Sequence, residues 1–350
     1  MKILHYSPAF PPSLGGLENT VVNVSAGLVA LGAEVTVVTT TPSVEPDRYP
    51  FRVVRSPGRG ELLRLVRAHD VFFQANVSLR GLWPLLFVHR PWVVSHHSWY
   101  RRTEGRVAWQ DRLKRRLLRR AAASIAVSRA MADDLQPIRS IVIANPYDER
   151  TFRPHPEIPR DRDLVAVGRL VSDKGFDLLL EALAILQGRG LSPKLTLIGD
   201  GPERPSLAAQ SAALGLDRQI EMTGALPPEG VARRLAGHRF LVAPSRYEEP
   251  FGLVALEGIA CGCAVIGSSG GGLPEAIGPC GRTFPNGDAA ALASVLEEAL
   301  SDPGVRERLL ERSGEHLGKH TIGRVAQRYF SVLESVLERA VATASGGGAP

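Results

Sequence analysis

The sequence predicts an α/β protein of two domains, each a parallel sheet with helices on both faces, and three observations carry that reading. Short apolar runs recur along the chain without strict alternation, the pattern of strands covered on both sides. Helix-length segments separate them, as parallel crossover connections require. A chain of 350 residues with 44% hydrophobic content can build two cores, and a turn-rich interval from Asn145-Pro-Tyr-Asp148 to Pro159 divides the runs into two series.

The first series opens with Lys2–Tyr6, passes a Pro/Gly loop and enters a helix from Glu18 to Leu31. Val35–Thr39, Val53–Arg55, Val71–Phe73, Trp92–Ser95, Ser124–Val127 and Ile141–Ile143 follow as strands. The second series has strands at Asp163–Val167, Lys194–Ile198, Ile220–Thr223, Phe240–Ala243 and Ala264–Ile266, with helices beginning near Phe176 and Leu253. Glu297 to Leu310 and Val325 to Ala340 are long enough for terminal helices, and residues 343–350 read as a loose tail.

Composition narrows the class. Met1–Tyr6 is too short and too soon followed by prolines to be a secretory signal, and no apolar run reaches membrane-spanning length, so cytosolic folding is the default expectation. Cys261, Cys263 and Cys280 lack paired ligand spacing, and neither a disulfide framework nor a metal site is expected. Charge is uneven: residues 1–155 hold 22 Lys and Arg against 12 Asp and Glu, the remainder 20 against 24. Much of the excess lies between Arg101 and Arg120, where Leu113, Leu117 and Ala121 would share a helical face turned into the domain and the arginines would face outward. That surface suits an anionic membrane or a phosphate-bearing acceptor, and equally a solvated face that aids solubility. The absence of zinc-finger spacing and of aromatic interleaving argues against nucleic acid.

The chemistry concentrates in Ser245-Arg-Tyr-Glu-Glu-Pro-Phe-Gly-Leu-Val-Ala-Leu-Glu257. Pro250 and Gly252 end a strand pattern and Leu253 to Ala260 continues as a helix, setting Glu249 at a strand's carboxyl end and Glu257 within the next helix. Free backbone N–H groups between them can take an anion while the carboxylates grip hydroxyls. This segment resembles the E-x7-E signature of the retaining, nucleotide-sugar-dependent glycosyltransferases of family 4. Pro11-Pro-Ser-Leu-Gly-Gly-Leu-Glu18, Val94-Ser-His-His-Ser98, Gly168-Arg-Leu-Val-Ser-Asp-Lys-Gly175, Gly199-Asp-Gly-Pro202 and Gly270-Gly-Gly-Leu-Pro-Glu275 are similar to the family's other segments, in the same order.

The resemblance implies the GT-B fold: two Rossmann-like α/β/α domains facing each other across a deep cleft. Residues 1–155 would bind acceptor, 156–324 would bind the nucleotide sugar, and a helix at 325–342 would pack back on the first domain. It also implies roles. Arg169 and Lys174 would neutralise the donor diphosphate without a metal, aided by backbone N–H groups at Gly15, Gly16 and Gly252. Glu257 would hold the ribose hydroxyls. Glu249 would face the transferred sugar, with Phe251, Gly252, Leu253 and Val254 lining the site. His97 would meet the reacting sugar from the other domain, whereas His96 reads as structural. No tightly bound cofactor is implied, and UDP- or GDP-sugars stand ahead of ADP-sugars as donor. The expected reaction is transfer of a hexosyl group, with retention, to a hydroxyl of a glycan or lipid-linked glycan; the setting is cytoplasmic, with peripheral attachment to the inner face of the membrane an open option, and oligomeric state is unspecified. Two departures stand out, Trp99-Tyr100 after the histidine pair and Asn145-Pro-Tyr-Asp148 where relatives carry Asn-Gly-Val-Asp. A GT-B-type epimerase and a noncatalytic glycan-binding protein are the alternatives; a dehydrogenase fits less well because the first loop lacks G-x-G-x-x-G.

Overall fold

A computed structural model describes residues 1–13, 15–101 and 108–346. The chain divides into two compact units, the first comprising Met1–Pro146 with Thr321–Pro350 and the second Tyr147–His320. The division falls between Pro146 and Tyr147 instead of at 155/156, because the turn-rich stretch after Tyr147 is held within the second unit, where the Tyr147 N–H donates to the His320 carbonyl at 3.1 Å.

In the first unit the strands are β1 (Lys2–Tyr6), β2 (Glu34–Thr39), β3 (Arg52–Arg55), β4 (Val71–Ala75), β5 (Trp92–His96), β6 (Ala123–Ala126) and β7 (Ile141–Val142). They form one sheet in the order β3-β2-β1-β4-β5-β6-β7, with every pair parallel. β4 and β5 are buried along their whole length, which is why their apolar runs do not alternate. The helix Gly16–Ala30 covers one face together with the C-terminal helix Ile322–Gly346, and the two approach closely because Gly27 leaves no side chain against Ala326. The other face is covered by a separate core that includes Leu62, Leu65, Trp92, Leu118 and Met131.

The second unit contains β8 (Arg162–Val167), β9 (Leu195–Ile198), β10 (Ile220–Gly224), β11 (His238–Ala243), β12 (Ala264–Ser268) and β13 (Gly281–Phe284), in the order β10-β9-β8-β11-β12-β13 and again all parallel. Strand order reverses between β8 and β11, and between β1 and β4 in the first unit. In open parallel sheets that reversal opens a crevice at the carboxyl ends of the strands.

Several expectations need correction. β13 went unread because its four residues include exposed Arg282 and Thr283 at the sheet edge. Glu297 to Leu310 is not one helix: Ala289–Ser301 ends and Val305–Leu310 begins around Asp302-Pro-Gly304, where proline cannot continue the helical hydrogen-bond ladder. The C-terminal helix runs on to Gly346, past the start of the expected tail, of which residues 347–350 lie outside the described residues. In the basic region, residues 102–107 lie outside the described residues, and the helix spans Trp109–Leu118. Its inward face is built on Leu117 and Leu118, so Leu113 turns outward at 38% exposure. One of the arginines expected to face outward turns inward, the Arg115 guanidinium donating to Asp134 Oδ2 at 2.6 Å, and the neighbouring Lys114 ammonium lies 5.8 Å from the Tyr100 ring centre.

Candidate functional site

The second unit gathers the carboxylates and cations singled out from the sequence around its strand-order reversal. After β8, Gly168 and Arg169 lead into a single helical turn, Ser172–Lys174. Gly175 follows with φ 66°, and a Cβ there would run into the Pro244 carbonyl oxygen. Only glycine permits this approach, which presses the β8 loop against the segment leaving β11. The Arg246 and Tyr247 N–H groups then donate to the Asp173 carbonyl, at 3.0 and 3.2 Å.

That docking brings Lys174 to Glu249 across 75 residues of sequence. The Lys174 ammonium donates to Glu249 Oε1 at 2.6 Å, with the carboxylate side chain 13% exposed and the lysine 33%. Ser245 Oγ donates to the same oxygen at 2.7 Å. The Glu249 carbonyl accepts from the Gly272 N–H at 2.7 Å, and Gly271, at φ 71°, lies too close to that backbone for any side chain. The Gly270-Gly-Gly272 run thus serves as a brace for Glu249. A carboxylate held by a cation, a hydroxyl and its own pinned backbone is fixed in both charge and direction. Arg169 sits at the same strand end with its side chain exposed and makes no side-chain hydrogen bond or ion pair among the described residues.

Beyond Glu249, Gly252 takes φ 94° and starts the helix Leu253–Ala260. The first N–H groups of that helix have no carbonyl one turn back to bond, and they point to where an anion is favoured. Leu253 and Val254 are half-buried at this end. The Phe251 ring is instead buried, 5.7 Å from the His320 ring, so only its main chain is left for a ligand. Glu257 is half-buried on the same helix, and desolvation, reinforced by nearby Asp148, pushes its carboxyl up to about 7. Its carboxylate has no hydrogen-bond partner among the described residues, leaving both oxygens for outside donors such as hydroxyls.

In the first unit, Gly15 and Gly16 are exposed at the start of the 15-residue helix Gly16–Ala30, with Leu14 outside the described residues. His97 follows β5. Its N–H donates to Asn76 Oδ1 at 2.7 Å and its Nε2 lies 2.8 Å from Ser95 Oγ. Asn76 itself has φ 61°, a left-handed conformation that asparagine tolerates better than most residues. Burial lowers the His97 imidazole to about 4, against a smaller opposing effect from Asn145, so the ring is neutral near pH 7. His96 is fully buried between Tyr100 Oη at 2.7 Å and Ser124 Oγ at 3.0 Å, a structural arrangement. Tyr100, one of the two residues that break the usual continuation, is therefore a partner of His96.

Sequence reading missed Ser245, Asn286 and the brace on Glu249. Asn286 Nδ2 donates to the Ser245 carbonyl at 3.1 Å, and its Oδ1 accepts from the Gly270 N–H at 2.7 Å. The glycine run was the one available signal, since three successive glycines mark a close backbone approach. All three cysteines are buried free thiols, and among the described residues no group of three or more His, Cys, Asp or Glu could hold a metal.

Comparison with known proteins places these features in a family. A profile described as Glycosyl transferases group 1 matches residues 148–316, and one described as Glycosyltransferase Family 4 matches residues 14–150. The chain is 30% identical to D-inositol 3-phosphate glycosyltransferase of Frankia alni, over 87% of this chain and 91% of that protein. It is 28% identical to 2-deoxystreptamine N-acetyl-D-glucosaminyltransferase of Streptomyces fradiae, over 98% and 95% respectively. Among solved structures, HepE of Anabaena in complex with UDP and glucose superposes with a TM-score of 0.81 at 20% identity, covering 96% of this chain and all of that one, a likeness of fold. The fold is GT-B, with two Rossmann-like α/β units, and the chain belongs to the family 4 glycosyltransferases as a nucleotide-sugar-dependent transferase.

Proposed function

We propose that the protein transfers a hexosyl group, with retention at the anomeric carbon, from a nucleoside-diphosphate sugar to a hydroxyl of a glycan or lipid-linked glycan. The observation that carries this is the Lys174–Glu249 pair, fixed at 2.6 Å beside the helix start at Gly252. In this reading Lys174, Arg169 and the first N–H groups of the helix Leu253–Ala260 take up the diphosphate, whose charge grows as the glycosidic bond breaks. Glu257 accepts from the ribose hydroxyls, and Glu249 faces the transferred sugar. The glycosidic C–O bond breaks, the acceptor oxygen bonds to the anomeric carbon on the same face, and its proton passes to a phosphate oxygen of the leaving nucleotide. Two cations and helix amides can stabilise that leaving group, and the reading requires no metal. The first unit is assigned the acceptor, with His97 on its side of the reaction.

UDP- or GDP-sugars are proposed ahead of ADP-sugars, and the UDP and glucose in the HepE complex favour a UDP-hexose. A second acceptor class has its own support: the Frankia and Streptomyces relatives are named for D-inositol 3-phosphate and 2-deoxystreptamine, both small polyols. A lipid-linked acceptor would suit the helix Trp109–Leu118 in a protein working on the cytoplasmic side of a membrane. Trp109 is 70% exposed, and with Arg112, Leu113 and Arg116 it forms an outward stripe at helical spacing, mixing basic and apolar groups as membrane-surface helices do. Among the described residues no helix is long and apolar enough to cross a membrane.

The test is a mass-spectrometric screen, in chelator, of UDP-, GDP- and ADP-sugars against pooled glycans, lipid-linked glycans and cyclitols, with Glu249→Ala and Lys174→Ala as controls. Addition of one hexose to an acceptor, lost in both controls, supports the proposal and identifies both substrates. Rearranged donor without transfer would establish epimerase chemistry instead.

A further inference from the structure

Beneath His97 lies a set of buried polar groups that the proposed reaction does not use. His5, Ser95 and Tyr329 are each 1% exposed and Asn145 is 8% exposed. They come from β1, β5, the C-terminal helix and the segment after β7. Aromatic contacts tie them together: His5 stacks on Phe73 at 4.2 Å, and the Phe73 ring lies 5.7 Å from that of Tyr329. His5 Nε2, His97 Nδ1, Asn145 Oδ1 and Tyr329 Oη are buried and make no well-formed hydrogen bond among the described residues. Buried polar atoms in native proteins are nearly always satisfied, so four together mark a constrained arrangement.

The hydrogen-bond directions can be worked out. Ser95 Oγ lies 2.8 Å from His97 Nε2 and 3.5 Å from the Gln74 carbonyl, so its hydroxyl proton goes to the nearer ring nitrogen. Nε2 is then the acceptor, and the proton of the neutral imidazole sits on Nδ1. Asn145 is the side chain beside Nδ1. Its Oδ1 is a buried oxygen that lacks a donor, and the Nδ1–H faces it, so one hydrogen bond accounts for both atoms. The Tyr329 hydroxyl faces Ser95 and donates to the same Oγ. Tyr329 lies more than 230 positions further along the chain, yet it closes the row that begins at His97.

We propose that Ser95 and Tyr329 are positioning residues for His97, locking its imidazole as the neutral tautomer protonated on Nδ1 and making the C-terminal helix a working part of the first unit's site. This rests on the reading of His97 as a site residue. With both ring nitrogens turned to protein partners, His97 is a fixed neutral wall of the site and not a proton shuttle, which agrees with assigning the acceptor proton to the donor phosphate.

The experiment is long-range ¹H–¹⁵N correlation of full-length protein labelled at histidine, with the His97 signals identified by their loss in His97→Ala. The expected spectrum shows a protonated Nδ1 and an unprotonated Nε2, unchanged from neutral to mildly acid pH. Ser95→Ala should give mixed tautomers, Ser95→Thr should restore the pattern, and Tyr329→Phe, which keeps the ring packed on Phe73, should shift the His97 resonances partway. A proton on Nε2 of the neutral ring, an imidazolium near pH 7, or a Ser95→Ala spectrum like wild type would overturn the proposal. Turnover of UDP-glucose, followed as UDP release, separates the two claims. Ser95→Ala is expected to lower kcat about tenfold and Tyr329→Phe about threefold, with KM held, as loss of one oriented hydrogen bond implies. Unchanged turnover in His97→Ala would remove His97 from the reaction while leaving the tautomer result to stand or fall by itself.

Discussion

The two units share a topology and differ in what they place at the point where strand order reverses. The second unit puts charge there: Lys174 against Glu249, an exposed Arg169, and the free helix start at Gly252. The first unit, at the ends of β1, β4 and β5, places neutral groups, several of them below the surface: His5, Ser95 and His97, with both imidazoles pushed by burial to about 3 and about 4. One sheet plan therefore carries two kinds of chemical group on its loops. A diphosphate leaving group needs ions and oriented dipoles, whereas a neutral hydroxyl needs fixed hydrogen-bonding walls that do not attract competing charge.

That contrast predicts unequal losses when each side is damaged. Lys174→Ala and Glu249→Gln are each expected to lower turnover by about 10²–10³-fold, the usual effect of removing one group aimed at developing charge. His97→Ala is expected to cost about tenfold, since a neutral wall contributes orientation alone. The double variant Lys174→Ala/Glu249→Gln should lose little beyond the worse single change, because the two act as one unit. Equal losses on both sides, or additive losses within the pair, would break the comparison.

In the second unit the meeting of Lys174 with Glu249 depends on a close glycine approach. Gly175→Ala forces a side chain into the Pro244 carbonyl at φ 66°, and a cost of about 2–3 kcal/mol is expected, with UDP affinity falling alongside stability as the β8 loop lifts from β11. Gly190 is the matched control: it has φ 82° but nothing within 4 Å, so Gly190→Ala should cost about 1 kcal/mol and leave UDP binding alone. Calorimetry with and without UDP reads both effects. A UDP affinity unaffected by Gly175→Ala would mean that the loop docking is structural only.

These positions show where sequence reading succeeds and where it stops. Twelve strands, and the helix Leu253–Ala260 to its bounds, were legible because continuous apolar runs and a glycine-proline punctuation are local signals. β13 was not, since Arg282 and Thr283 on an edge strand look like a loop. The Asp302-Pro-Gly304 break was legible in principle and outweighed by the leucine spacing on either side. Glu249 and Lys174 could be named from the motif, but their meeting depends on a glycine–carbonyl approach that no spacing rule encodes. The inward face of Trp109–Leu118 was misjudged for a related reason. Leu113, Leu117 and Leu118 offer two competing apolar faces, and only the neighbouring core decides between them.

Glu257 sharpens the comparison through pH. Its carboxyl titrates at about 7 in the folded protein, above the ordinary carboxyl range. Such a group contributes stability in its protonated form, complete in acid and lost as pH climbs through about 7. Glu257→Gln, which cannot ionise, should therefore melt close to wild type near pH 5 and at progressively higher temperature than wild type toward pH 8. On the ribose role proposed for Glu257, UDP should reverse part of that gap, and the variant should bind UDP about tenfold more weakly. A melting difference independent of pH would remove the buried-carboxyl account, and unchanged UDP affinity would remove the ribose assignment.

The smallest effect expected is on the helix Trp109–Leu118, one of the places where the first unit exposes basic residues. Arg116 is exposed, whereas Arg115 is bound to Asp134 at 2.6 Å, so the two adjacent arginines should behave differently at a lipid surface. Arg116→Gln is expected to weaken co-sedimentation with phosphatidylglycerol-containing vesicles by about fivefold, roughly 1 kcal/mol for one cation near an anionic surface. Arg115→Gln should leave vesicle binding unchanged while lowering thermal stability. Trp109→Ala should weaken binding at high salt as well as low, because an inserted ring is not screened, whereas the Arg116 effect should fade as salt is added. If vesicles without anionic lipid bind equally well, or if Arg115 and Arg116 contribute alike, the helix is a solvated face, and the positive charge of the first unit then has no part in locating its acceptor.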